Sequence, residues 1–276
     1  MRKLIGLSAV ACLTSTPGAP NTPTLTPDDC VFIAQYDALN DYTFASDFAF
    51  MAHHTEEIER SVYQERALEK RLLDIDISLF VEGNFEQIDA LNLGIRDFYI
   101  ITRDFSPLKV TARRFGEVNI QTGGTLPILL VDYENIELFS DFFRSFGWEK
   151  SVHNLERIVQ PSSTCMAAKW PWTTVSEAVD VYINAEYHNN PMQIASCMRE
   201  EAYNSLGLFA DPQGDQSLFS DPLWRGEPSE IEGDFGYGYR DELMLKMLYR
   251  PEFENGQSYA ETQAEVGEII ATECAG

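Results

Sequence analysis

The sequence predicts an α+β fold in which a mixed, twisted sheet is covered by helices. Three observations carry that expectation. The stretches DIDISLFV (74–81) and VSEAVDVYIN (175–184) alternate polar and apolar residues, the two-residue period of a half-buried strand. Between them, residues 84–104 place Ile88, Leu91, Ile95, Phe98 and Tyr99 along one apolar stripe of a helix. The order helix, strand, helix, strands, helix then suits one domain, and 276 residues with 44% hydrophobic content can bury a substantial core.

Taken in order, the chain opens as an export signal. Met1 to Cys12 (MRKLIGLSAVAC) joins two positive charges, a short apolar run and small residues ahead of a cysteine. Ala9-Val10-Ala11-Cys12 looks like a bacterial lipobox, which would make residues 1–11 the signal peptide and Cys12 the lipidated N-terminus. The alternative is an ordinary signal cut near Thr16-Pro17-Gly18-Ala19. Either route implies the bacterial cell envelope, as a periplasm-facing lipoprotein or a secreted periplasmic protein, with membrane contact only through a lipid on Cys12. Residues 12–44 are expected to be a flexible tether, because the stretch 13–29 is too rich in Pro and Thr to form a core. The folded domain is then expected over 45–276.

From about 45 to 73, Ile58, Val62, Ala67 and Leu68 recur at near-helical spacing, which predicts one or two helices. His53 and His54 fall here; neighbouring helical residues point about 100° apart, so they make poor co-ligands, and a surface or half-buried place is expected. The strand at 74–81 is closed by Gly83 and followed by the helix at 84–104. Further strands are expected at 108–113 and 127–133, with a short helix at 136–143. The strand at 175–184 leads into a helix at 191–206, on which Ile194, Met198, Ala202, Ser205 and Leu206 form the inward face. Gly207 is placed to end that helix in the left-handed conformation. An irregular loop is expected over 211–239, then helices at 239–249 and 257–271.

Charge and cysteine content narrow the function classes. With 44 acidic against 20 basic residues, the formal charge of −24 repels phosphate backbones, so no nucleic-acid partner is expected. If lipid consumes Cys12, Cys30, Cys165, Cys197 and Cys274 remain, an even set that reads as two disulfides in an oxidising compartment. Cys197 lies one turn before Glu201, and Cys165 precedes the strand leading into that helix, so Cys165 with Cys197 is favoured, leaving Cys30 with Cys274 to tie the ends. Separate buried thiols are the alternative.

The stretch REEAYNSLGL (199–208) has the frame of a zinc-peptidase helix without its zinc chemistry. Metzincin-type enzymes write H-E-x-x-H-x-x-G-x-x-H, two His one turn apart holding the metal and the Glu serving as general base. Anchored on Gly207, the frame puts Glu200 at the first His, Glu201 at the general base, Asn204 at the second His and Ala210 at the third. The motif face is therefore Glu200, Glu201, Asn204, Gly207 and, beyond it, Asp211.

Two blocks point to a family. Cys197-x-x-Glu200-Glu201-x-x-Asn204-x-Leu206-Gly207-Leu208-x-x-Asp211 is followed by SLFSD at 217–221, and Asp241-Glu242-x-x-Leu245-x-x-x-Tyr249-x-Pro251 precedes Gly256. Together they resemble the bacterial domain of unknown function 2927 family, many of whose members look like envelope lipoproteins; the resemblance centres on about residues 165–265, and Asn204 stands where that family usually has Gln. The same blocks are similar, more distantly, to matrix-metalloproteinase-type zincins. Leu206-Gly207-Leu208 matches the end of the metal helix, Ser217-Leu218-Phe219 occupies the Met-turn region with Phe219 in place of Met, and Asp241 with Leu248-Tyr249 matches the last helix. This likeness implies a single zincin-like domain with degenerate ligands.

No cofactor is expected. Zinc favours imidazole and thiolate, which Glu200, Asn204 and Ala210 do not supply. Calcium takes oxygen ligands and stays open, with Asp211 and Asp215 as possible contributors. Only the base position, Glu201, keeps its residue, so the expectation is a domain that binds an envelope protein or peptide, or serves structurally, without hydrolysis. Two alternatives stand beside it: a metal-dependent hydrolase with non-standard ligands or a Glu200–Glu201 pair, and an acidic calcium-responsive surface protein. His188, just before the motif helix, is the only imidazole the sequence places near the site.

Overall fold

A computed structural model describes residues 24–57, 62–71, 75–81, 85–103, 108–112, 125–160, 165–169, 179–185, 191–210 and 237–275. Its first element corrects the tether, because helix α1 (Pro27–Leu39) lies inside the stretch expected to be unstructured. The cause is a complete capping box. Thr26 Oγ1 accepts from the Asp29 N–H, the Asp29 carboxylate accepts from the Thr26 N–H, and Pro27 stands where a helix loses no hydrogen bond to it. Ile33 and Tyr36 are buried, and the Cys30–Cys274 bridge ties the helix to the far end of the chain.

Helix α2 (Phe44–His53) starts on a second capping box at Thr43, but the expected helix does not continue beyond it. Strands β1 (His54–Glu57) and β2 (Val62–Glu65) pair antiparallel, and the Arg66 N–H donates to the His53 carbonyl over 2.8 Å at the open end of the pair. The polar strands HTEE and VYQE carry no continuous apolar helical face, and their backbone bonds decide the outcome. His53 is fully buried, a second correction. Its Nδ1 lies 2.7 Å from the Arg66 carbonyl and its Nε2 2.8 Å from Thr262 Oγ1.

The main sheet is built by β3 (Ile75–Val81), β4 (Leu108–Ala112), β5 (Thr125–Val131), β6 (Cys165–Lys169) and β7 (Val179–Asn184) in the order β4-β3-β5-β7-β6. The first three pairings are parallel; β6 runs antiparallel along the edge of β7. Helix α3 (Phe85–Thr102) supplies the crossover from β3 to β4. Between β5 and β6 come α4 (Ile136–Ser145) and α5 (Glu149–Ile158), the second of which the sequence reading left without an element. After β7 follow α6 (Pro191–Asn204), α7 (Tyr239–Leu248) and α8 (Tyr259–Glu273). The α+β expectation holds.

Both faces of the sheet are covered, which explains why β5 reads TLPILLV rather than alternating. Leu126, Ile128 and Leu130 join Val181 and Ile183 in the larger core with α1, α2, α3, α6, α7 and α8. Leu129, Val131 and Tyr182 turn to the other face, where Phe139 and Phe143 of α4 and Val152, Leu155 and Ile158 of α5 cover them. Strand β5 ends at Val131 because Asp132 opens an Asx turn, its Oδ1 accepting from the N–H groups of Glu134 and Asn135. Among the described residues no helix is long and apolar enough to cross a membrane.

Candidate functional site

Glu200, Glu201 and Asn204 of the frame lie on α6, Gly207 and Ala210 follow its end, and three sets of contacts fix that helix. Its inward face is the one expected: Ile194, Met198, Ala202, Ser205 and Leu206 are all fully buried. Helix α3 crosses it at Gly94, where a Cβ would stand 2.7 Å from Met198 Cβ and 2.8 Å from the Ala195 carbonyl oxygen. The Cys165–Cys197 bridge, the pairing favoured from position, fastens α6 to edge strand β6 with the Cα atoms 5.8 Å apart. Beyond the C-terminus of α6, Gly207 has φ +123 and passes against the backbone of Glu69 and Lys70, while the Arg71 N–H donates to the Leu206 carbonyl. Leu206-Gly207-Leu208 is thus a packing requirement in its own right.

Along the motif face the environments differ. Glu200 and Asn204 are half-buried, one turn apart; Glu201 is 7% exposed, among the buried polar residues. Ala210, at the third frame position, is buried and turns its N–H to the Met51 carbonyl. Glu200, Asn204 and Ala210 therefore do not fit zinc: an alanine side chain donates nothing, and no imidazole or thiolate stands in the frame. Among the described residues no group of three or more His, Cys, Asp or Glu is placed to hold a metal ion. Asp211, Asp215, Phe219, His188 and Cys12 lie outside the described residues, as does the expected loop up to residue 236.

The outer flank of α6 carries a polar relay that sequence alone does not assemble. Arg199 is buried and donates from Nε and Nη2 to Asp97 Oδ2 of α3 at 2.9 and 2.8 Å. Its carbonyl accepts from the Tyr237 hydroxyl at 2.6 Å, and the Tyr237 ring stacks on Tyr203, whose own hydroxyl donates to the Asp241 carbonyl at 3.0 Å. Burial holds both phenols well above the usual tyrosine range. Asp241 caps α7 by accepting from the Gly238 N–H at 3.0 Å and sits 3.5 Å from the Arg240 guanidinium; burial raises its carboxyl. A cleft of about 200 Å³ opens beside Asp97, Tyr237 and Glu242.

Arg199 is thus paired with Asp97, and Arg240 with Asp241 at 3.5 Å. Asp97 has no sequence signal linking it to this site, since its pairing joins residues 102 positions apart. What the site can do chemically follows from its donors. Adjacent Glu200 and Glu201 project in different directions from one helix and make a poor acid and base pair across one bond.

Comparison with known proteins agrees with the two sequence blocks. A family model described as "Protein of unknown function (DUF2927)" matches residues 109–268, more than half of the chain, from within β4 to within α8. The chain belongs to this family. The match begins well before residue 165, so the family's common part includes β5, α4 and α5 as well as the motif helix. No curated protein and no solved structure matches the chain.

Proposed function

We propose that this is an exported protein of the bacterial cell envelope, anchored through a lipid on Cys12, whose zincin-like domain binds a protein or peptide and does not hydrolyse it. One observation carries the reading: the frame from Arg199 to Ala210 keeps its helix, its ending glycine and its inward face, while Glu200, Asn204 and Ala210 occupy the metal positions. A mixed sheet with covering helices, a motif helix following strand β7 and two C-terminal helices also supports the zincin-like part. Two disulfides support export to an oxidising compartment. The cleft of about 200 Å³ lined by Asp97, Arg103, Tyr237 and Glu242 lies beside the motif helix and supports a recognition role.

The test is a cleavage assay of the mature chain against a mixed set of quenched peptides, run beside Glu201→Ala. Neither protein should cleave; cleavage by the wild type that Glu201→Ala abolishes would overturn the reading. Metabolic labelling with a palmitate analogue tests the anchor, with label expected on the wild type and absent from Cys12→Ser.

A further inference from the structure

A groove of about 460 Å³ runs along α1 to the start of α7, well away in sequence from the motif frame. Helix α1 lines it with Phe32, Gln35, Tyr36 and Leu39, the i, i+3, i+4, i+7 stripe of one helical face. Tyr239 stands across from them, its ring 5.0 Å from that of Phe32. Leu39 is 78% exposed and Tyr239 41%, so apolar surface is open to solvent along this stripe. Arg240 borders the groove but is buried against Asp241 and adds no open charge. Gly238 borders both this groove and the cleft at Asp97, Tyr237 and Glu242, so the two depressions adjoin. Ile100, which lines the cleft, is exposed as well.

The charge along this stripe is of one sign. No Lys or Arg occurs between Lys3 and Arg60, whereas Asp28, Asp29, Asp37 and Asp41 fall within or just after α1. Asp28 is exposed and continues the stripe one turn before Phe32, and its charge acts on the Tyr239 hydroxyl. At the other end, beside Leu39 and Asn40, α1 presents the negative end of its dipole with no basic residue in its last turn. Exposed Asp41 follows directly. Negative groups therefore stand at both ends of an apolar groove. The hydroxyls of Tyr36 and Tyr239 already donate to Asp47 and Asp29, which leaves shape, aromatic faces and charge as the means of recognition.

We propose that this groove docks a basic, apolar segment of a partner protein, its Leu or aromatic side chains resting on Phe32, Leu39 and Tyr239 and its Lys or Arg side chains meeting Asp28 and the C-terminal end of α1. The inference rests on the reading of the domain as a protein or peptide binder, and names the partner's chemistry and the face it uses. From Phe32 to Leu39 the stripe is about 10 Å long at 1.5 Å per helical residue, room for about two turns of a partner helix or about three residues of extended chain. Apolar anchors seated in a depression supply affinity, and a charged rim of complementary sign supplies steering and specificity. A second copy of this chain suits the face poorly, since a charge of −24 on each sets like against like. Anionic lipid is repelled for the same reason.

The probe is a phage-displayed library of random peptides, selected on the mature, disulfide-bonded chain, with the recovered peptides synthesised and titrated by calorimetry. They should combine Lys or Arg with Leu or aromatic residues, and bind Leu39→Ser and Asp28→Lys about tenfold more weakly than the wild type. Both positions are exposed, so both variants should keep the wild-type Tm. Added salt should weaken binding to the wild type and have little effect on what remains in Asp28→Lys. The chain's own SLFSDPLW (217–224), apolar without a basic residue, should not bind as a peptide, and sedimentation should find a monomer. Peptides that lack basic residues, or that bind both variants as tightly as the wild type, would overturn the groove and leave the binding reading standing. Recovery of no peptide would overturn both. Binding of SLFSDPLW, or a dimer that Leu39→Ser disperses, would assign the face to this chain itself and overturn the proposal.

Discussion

A Cβ on Gly207 would stand 2.5 Å from the carbonyl oxygen of Glu69. The same residue has φ +123, a conformation that side-chain-bearing residues rarely adopt. Backbone strain and a backbone clash therefore act together, and neither is relieved by a rotamer change. Gly207→Ala should destabilise the fold by about 3 kcal/mol, read from urea unfolding, on the usual costs of strain and overpacking. An effect below about 1 kcal/mol would show that the segment at 69–70 yields, and that the glycine is kept for another reason.

Gly94 invites the opposite expectation from propensity alone, since alanine is the better helix former by about 1 kcal/mol. Its Cβ would meet Met198 Cβ and the Ala195 carbonyl at 2.7 and 2.8 Å, atoms that only a shift of the whole helix can move. The clash wins, so Gly94→Ala should lower stability by about 1 to 3 kcal/mol and loosen α6, seen as faster amide exchange over residues 194–206.

The two disulfides should contribute unequally. On the chain-entropy model, a bridge closing 244 residues stabilises by roughly 5 kcal/mol and one closing 32 by roughly 4. The double substitution Cys165→Ser/Cys197→Ser should cost somewhat less than Cys30→Ser/Cys274→Ser, yet only the first should free strand β6 and α6 in hydrogen exchange. Thiol titration of the denatured, unreduced mature chain should find no thiol from these four residues; two or more equivalents would contradict both bridges.

Acid should weaken the fold through His53. Burial lowers its imidazole below the ordinary histidine value while Arg66 and Thr262 hold the neutral ring. Above about pH 6.5 both folded and unfolded chains carry it neutral, and the stability is fully present. As pH falls below that value the unfolded chain takes the proton first, so stability declines until the folded pKa is passed. The urea midpoint should drop between pH 7 and 5, and His53→Gln should flatten that part of the curve. An unchanged slope in the variant would remove His53 from the account.

Periodicity made much of this legible in advance. The strands at Ile75–Val81 and Val179–Asn184, the Leu91, Ile95 and Phe98 part of the α3 stripe and the inward face of α6 all follow from local spacing and form in the structure. Tyr99, by contrast, turns out exposed, and Val181 to Asn184 are buried on both faces rather than half-buried. Gly207 was readable for the same local reason, and the two bridges from position along the chain. Helix α1 was readable too, through Thr26-Pro27-Asp28-Asp29, but the Pro and Thr before it masked a capping box. In α5, Val152, Leu155 and Ile158 repeat at threes and cover one face of the sheet. Strands β1 and β2 and edge strand β6 (CMAAK) have weak local preference, and their pairing partners decide them. The Arg199–Asp97 pair and the groove at Arg240 join segments far apart in sequence, so no window of residues contains them.

The proposed kinship holds that α6 keeps a metal-peptidase framework with oxygen-bearing or inert side chains where imidazoles would stand. Metal analysis of the mature protein after equilibration with zinc and removal of the excess tests it most directly. The account predicts well under one zinc per chain and no change when Glu200, Glu201 and Asn204 are replaced together by Ala. One zinc per chain, lost in that triple variant, would contradict it.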